Sequence, residues 1–264
     1  MSDSPYNRFE LASQMPSVVV VEDEQPALAD APKRKPAGAP KWETDARERV
    51  RASLRKFSKP LQDLVNRDAN EGDTRLIVTD FLEHALGYDK YEELTTEYGV
   101  KGEFADYGIR IDKELIAFVE VKRVATKLAA KHLRQVEMYA VNEGVEWMIL
   151  TNGVEWRAYH LTGGLPVEID LALEVNLLGE ATPGQKANQL FYLSRESLKR
   201  RQIDELWRAR RAQSPKSLAT VLASDAVADA IRKELKRTTG QKVERDEIVR
   251  LLKETVVRPE CYEK

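Results

Sequence analysis

The chain has 264 residues, with 42 Lys and Arg against 44 Asp and Glu and a formal net charge of −2. Its one cysteine, Cys261, excludes a disulfide framework and a cysteine-based zinc site, and His84, His132 and His160 are too scattered to suggest a histidine metal site. No apolar run approaches the roughly 18–20 residues of a membrane span, and the short run at Val18–Val21 lacks the flanks of a signal peptide.

A cytoplasmic protein without a membrane partner is therefore expected. Its length suits one medium domain with appendages, or two small ones. Any chemistry must rest on carboxylates, lysine and hydroxyls, a donor set that prefers hard cations such as Mg²⁺ or Mn²⁺. The small net charge hides a gradient. Residues 43–185 hold 18 Lys and Arg against 26 Asp and Glu, whereas residues 186–264 hold 19 against 12. An acidic segment followed by a basic one suits a carboxylate metal site with an arm that meets phosphate, and equally suits two ordinary solvated surfaces.

Residues 1–42, rich in Pro, Ala and charge, predict a disordered tail. From Glu43 a helical segment runs to about residue 70. Val50, Leu54, Phe57, Leu61, Leu64 and Val65 recur near spacings of three and four, and Pro60 is expected to break or kink the helix or to begin a second one. Residues 71–86 form the next helix, with Leu76, Ile77, Phe81, Leu82 and Ala85 as its stripe and Gly87 as its stop.

The period then changes. Residues 92–98, 104–111 and 115–122 predict a β-meander, with a tight turn at Asp112-Lys113-Glu114. Residues 126–143 return to helix, with Leu128, Leu133, Val136 and Ala140 inward and Gly144 as the end. A strand at Trp147–Leu150 follows, then a hairpin turn at Asn152-Gly153 into Glu155–Leu161, and a further strand over 167–175. Pro183-Gly184 marks a boundary, after which 186–211, 215–238 and 244–256 read as helices. The expected fold is α/β: a core over 71–182 in the order αβββαβ, a mixed sheet flanked by helices, then a helical basic region over 183–264. Since a helix bridges strands 115–122 and 146–151, one or two strand contacts should be parallel.

On a strand, residues i and i+2 face one side, so Glu120 and Lys122 project together with Val121 turned away. The turn at 112–114 brings Asp106 towards the Glu120 end, so two carboxylates can converge on one cation. A carboxylate in the apolar stretch LIAFVEV is costly to bury without a partner or a metal. Taken alone, Glu120 and Lys122 fit an internal ion pair as well as a catalytic pair. Glu71 opens the preceding helix, where it could also serve the helix N-terminus electrostatically. Gln135 and Tyr139 lie at i and i+4 on the following helix with His132, a spacing shared by any solvated stripe.

Together these residues resemble the PD-(D/E)XK nuclease superfamily, and more narrowly the N-terminal nuclease domain of type I restriction enzyme R subunits. The resemblance rests on Glu71-x-Asp73-Thr74-Arg75, Leu86-Gly87-Tyr88-Asp89, Ala105-Asp106-Tyr107, Glu120-Val121-Lys122, Gln135-x3-Tyr139 and Leu150-Thr151-Asn152-Gly153-x2-Trp156. It implies a restriction-endonuclease-like fold and a Mg²⁺-dependent (Mn²⁺ possible) endonuclease acting on DNA. Asp106, Glu120 and the carbonyl of Val121 would ligate the metal. Lys122 would orient or help deprotonate the attacking water, Glu71 would support the metal site, and Gln135 and Tyr139 would position DNA or the site. Ala105 stands where the superfamily's motif name has proline. The chain has no G-x-x-x-x-G-K-[ST] loop, so no ATP site is expected, and a motor or specificity subunit would be a separate partner.

In the stretch RESLKRRQIDELWRARR, Leu198, Ile203, Leu206 and Trp207 are expected to face a core or partner. Arg200, Arg201, Arg208, Arg210 and Arg211 would form a DNA-backbone arm, a solvated cap or a homodimer contact. The alternative to a nuclease is a non-catalytic DNA- or partner-binding module on the same fold.

Overall fold

The computed structural model describes residues 38–100, 103–129, 132, 143–162, 168–258 and 261, with the backbone alone at 98–100, 103–104 and 168. Residues 39–264 form one compact unit. The tail expected over 1–42 falls almost wholly outside the described residues.

Helix α1 (Lys41–Asn66) turns Ala46, Val50, Leu54, Phe57, Leu61 and Leu64 inward at spacings of three, four and seven. The break expected at Pro60 does not occur, since the helix continues through it. Pro60 sits on the exposed side, so the hydrogen bond its ring removes leaves a carbonyl that water can reach. Helix α2 (Glu71–His84) is started by Asn70, whose side chain accepts the N–H of Asp73 at 2.8 Å. Beyond its end Gly87 has φ +84°, and a Cβ there would come within 2.5 Å of the Arg49 guanidinium.

Six strands follow: β1 (Leu94–Val100), β2 (Glu103–Ile111), β3 (Glu114–Val121), β4 (Trp147–Thr151), β5 (Glu155–Thr162) and β6 (Glu168–Asn176). They lie in one sheet in chain order, antiparallel throughout except for the parallel pair β3–β4. The expected mixed sheet forms, with one of the one or two parallel contacts expected, among the described residues. At the β2–β3 turn Asp112 and Lys113 take φ of 51° and 73°, the left-handed pair a two-residue hairpin requires.

Most of the helix expected over 126–143, with Leu133, Val136 and Ala140, lies outside the described residues, and Thr126–Ala129 have no regular structure. Leu128 is nonetheless buried, and Gly144 has φ +68° at the far end. Strand alternation sorts the side chains into two layers. Val119, Val121, Ile149 and Trp156 join α1 and α2 in the larger core, whereas Phe118, Met148, Leu150 and Leu161 form a second core with Leu128 and Val145.

The C-terminal region is helical but more divided than expected. The predicted helix 186–211 is α3 (Pro183–Leu190), a 3₁₀ turn (Phe191–Leu193), α4 (Arg195–Lys199) and α5 (Gln202–Ala212). The next becomes α6 (Pro215–Leu222) and α7 (Asp225–Thr239), and the last α8 (Arg245–Leu251) running into a π turn. Ser194 explains one added break, and Ser214 the boundary expected between 211 and 215. Each is extended and caps the following helix with its hydroxyl. Among the described residues no helix is long and apolar enough to cross a membrane.

Helix α5 docks through aromatic contacts. The His160 ring lies between Trp147 (4.9 Å, edge-on) and Trp207 (3.6 Å, stacked), and Trp147 Nε1 donates to Asp204 at 2.9 Å. Burial lowers the His160 pKa, outweighing the nearby charges of Glu146, Asp204 and Asp170. The unfolded chain then takes up a proton near pH 6.5 that the folded chain declines, so stability is lost as pH falls through that value. Thermal melts between about pH 7.5 and 5.5 should show a declining midpoint, and His160→Phe should flatten part of the slope. Identical slopes for the two proteins would show that His160 does not contribute.

Candidate active site

The end of β3 places the expected pair. Glu120 and Lys122 share the parity of Phe118, while Val119 and Val121 turn into the larger core. Lys122 Nζ donates to Glu120 Oε1 at 2.5 Å. The β2–β3 register pairs Tyr107 with Val119, and one further step sets Asp106 opposite Glu120. Instead of continuing the backbone ladder there, Asp106 Oδ2 accepts the Val121 N–H at 2.7 Å. Glu97, with φ +49°, interrupts β1 beside this point: Thr96 pairs with Tyr107 and Tyr98 with Ala105, leaving no partner pair between Glu97 and Asp106.

Helix α2 supplies the other wall. Thr74, fully buried, donates to the Asn70 carbonyl at 2.8 Å and accepts the Val124 N–H at 3.1 Å, which ties the first turn of α2 to the chain leaving β3. Lys122 N donates to Thr151 O at 2.8 Å, which ties that exit to the end of β4. Arg75 reaches across and forms an ion pair with Asp106, while Glu71 lies 3.9 Å from the same guanidinium. The motif contains Arg75, but the sequence alone gives it no role. Its spacing of four from Glu71 on a helix was the available signal.

Asp106 and Glu120 are only 8% and 6% exposed. Burial raises the pKa of both. For Asp106 the Val121 N–H, Arg75 and Lys122 offset this in part. For Glu120 the Lys122 hydrogen bond does so, while the charges of Asp106 and Glu71 add to the rise. Burial also acts to lower Lys122, but the Glu120 hydrogen bond and the charges of Glu120, Glu71 and Asp106 outweigh it, so its pKa is raised. Two buried, destabilised carboxylates beside each other suit a hard divalent cation. Asp106 and Glu120 could hold it through carboxylate oxygens, joined by the Val121 carbonyl, and Glu71 stands at the rim.

A second acidic group, Asp80, Glu83 and His84 on α2, brings three potential ligand atoms within 4.8 Å of one another, but Asp80 and His84 are exposed and Lys90 sits 3.3 Å from Glu83. It lacks the burial of the Asp106–Glu120 pair.

Gln135 and Tyr139 lie outside the described residues. The five arginines of the basic region separate. Arg201 pairs with Asp204 and Glu146, Arg200 lies over the Trp42 ring, and Arg211 contacts Asp170 and Thr162. Arg208 is exposed on α5 and Arg210 half-buried there.

This region docks at the far end of the sheet. Lys199 pairs with Asp112 at the β2–β3 turn (2.8 Å), and Asp204 holds Trp147, the first residue of β4, whereas the site lies at Thr151, its last. Four strand steps separate those ends by roughly 13 Å. Helices α4 and α5 therefore do not deliver their arginines to the carboxylates.

No curated protein and no solved structure matches the chain. Residues 70–165 match a family model described as type I restriction enzyme R protein N terminus. That segment runs from the cap of α2 to just beyond β5 and contains every residue of the carboxylate centre. Over residues 70–165 the chain is thus similar to the type I restriction enzyme R protein N terminus, and a PD-(D/E)XK placement is consistent with that family.

Proposed function

We propose that this domain is a Mg²⁺- or Mn²⁺-dependent endonuclease that hydrolyses DNA phosphodiesters, working in the cytoplasm with a motor or specificity partner. The observation that supports it most is the burial of Asp106 and Glu120 side by side, with Lys122 held against Glu120. A bound cation would supply a water of lowered pKa and neutralise charge building on the phosphate. Asp106 is oriented for this by the Val121 N–H, which fixes one oxygen and leaves the other on Arg75. Lys122, with its pKa raised, is an ammonium that donates. Its part is to orient a water or a phosphate oxygen and to stabilise negative charge, rather than to remove a proton. Glu71 adds negative potential at the rim. Arg208 and Arg210 can meet the duplex backbone farther along its length.

The test is supercoiled plasmid with Mg²⁺ or EDTA, for wild type, Asp106→Ala and Lys122→Ala. Nicking that needs Mg²⁺ and falls by roughly 10²–10³-fold in Lys122→Ala is expected, with none detectable in Asp106→Ala. Equal behaviour of all three proteins would favour the binding-module alternative.

A further inference from the structure

Arg75 is surrounded by acids from three elements. Its Nη2 is paired with Asp106 of β2 and lies 3.9 Å from Glu71 of α2, while Nη1 is 4.0 Å from Glu97 of β1. Glu97 reaches it from a left-handed backbone position, which costs a non-glycine residue energy and which only surrounding structure can hold. The Arg75 carbonyl accepts the Tyr107 hydroxyl at 3.2 Å, so its backbone is fixed to the strand that carries Asp106. The guanidinium itself is incompletely satisfied, because its buried Nε has no hydrogen-bond partner. A guanidinium can match a phosphate with two donors at once.

We propose that Arg75 is the resident counter-ion of the metal-free centre: it occupies the Asp106 oxygen that a divalent cation needs, and moves from that oxygen to a DNA phosphate when the centre is loaded. This rests on the nuclease reading above. The buried carboxylate thereby keeps an opposite charge in the absence of metal, and metal loading becomes a competition between two cations for one oxygen. Arg75 is then both a brake on metal binding and a ligand for substrate.

Titration calorimetry with Mn²⁺ alone tests the competition. An opposite charge this close favours an ionised carboxylate by about ten- to a thousandfold, and partial exposure of Arg75 puts the effect at the low end. Arg75→Gln should bind Mn²⁺ about tenfold more tightly than wild type, and Arg75→Lys, which keeps the charge, should stay close to wild type. Asp106→Asn should bind much more weakly.

Unchanged affinity in Arg75→Gln, alongside weakened affinity in Asp106→Asn, overturns the counter-ion role and leaves the nuclease reading standing. Unchanged affinity in Asp106→Asn overturns both. The phosphate role is read on uncut duplex with Mn²⁺ in a Lys122→Ala background. Adding Arg75→Gln should weaken binding roughly tenfold, and equal affinities overturn that role.

Discussion

Glu120→Gln should give a protein that no longer cuts DNA yet melts above wild type in EDTA. The folded state raises the Glu120 pKa even with the Lys122 ammonium in contact, so at neutral pH the charged form costs stability. The amide keeps the shape and an oxygen for Lys122 but carries no charge to desolvate. Each unit of raised pKa is worth about 1.4 kcal/mol, and each kcal/mol about 2–4 °C in a chain of this size.

The sign with pH is fixed by the same argument. As pH falls through the raised pKa towards the ordinary 4.5, wild-type Glu120 takes up its proton in the folded state first, and its disadvantage against Glu120→Gln disappears. Metal should reverse the order. Mn²⁺ at about a hundred times its dissociation constant adds roughly 2.7 kcal/mol to a protein that binds it, so wild type should gain and the amide variant should not. Thermal melts in EDTA and in Mn²⁺ check both halves. A Glu120→Gln midpoint at or below wild type in EDTA at neutral pH would mean that burial is not what perturbs this acid.

The parts of this centre that sequence makes legible are those set by local periodicity. Glu120 and Lys122 share a face because a strand repeats every two residues, and Asp106 meets them because the 112–114 turn closes a hairpin of nearly matched arms. Arg75 is different. Its pairing with Asp106 joins residues 31 apart and depends on how α2 crosses the sheet, which no local pattern encodes.

Pro60 misleads for a related reason. Its intrinsic cost is real, but the packed face of α1 holds the helix together through it, and its missing bond faces water. Composition likewise shows that residues 186–264 are basic but not where they dock. The contacts Lys199–Asp112 and Trp147–Asp204 send α4 and α5 to the end of the sheet away from the carboxylates, and three of the five arginines proposed for DNA already hold internal partners.

Trp156→Ala should destabilise the domain by about 3–5 kcal/mol, although Trp156 belongs to a motif that carries the family resemblance. The side chain is fully buried, its ring is 5.1 Å from Phe81 of α2, and Phe81 in turn lies edge-on to Phe57 of α1 at 5.2 Å. Its Nε1 donates to the Gly153 carbonyl at 3.0 Å, closing the β4–β5 turn on itself. That turn needs Gly153 at φ +83°, where a Cβ would lie 3.5 Å from the Thr74 methyl, on the residue that fixes α2 to the end of β3.

Removing the indole thus leaves a cavity between both helices and the sheet and frees a buried carbonyl. The same change loosens the wall that carries Glu71 and Arg75. Cleavage should fall through stability rather than chemistry, so Trp156→Phe, which keeps most of the volume but not the Nε1–H, should recover much of the midpoint and of the activity at low temperature. Denaturant titration of wild type and both variants measures this directly. A Trp156→Ala protein of near-wild-type stability that nonetheless failed to cut would move Trp156 out of the core and into the reaction.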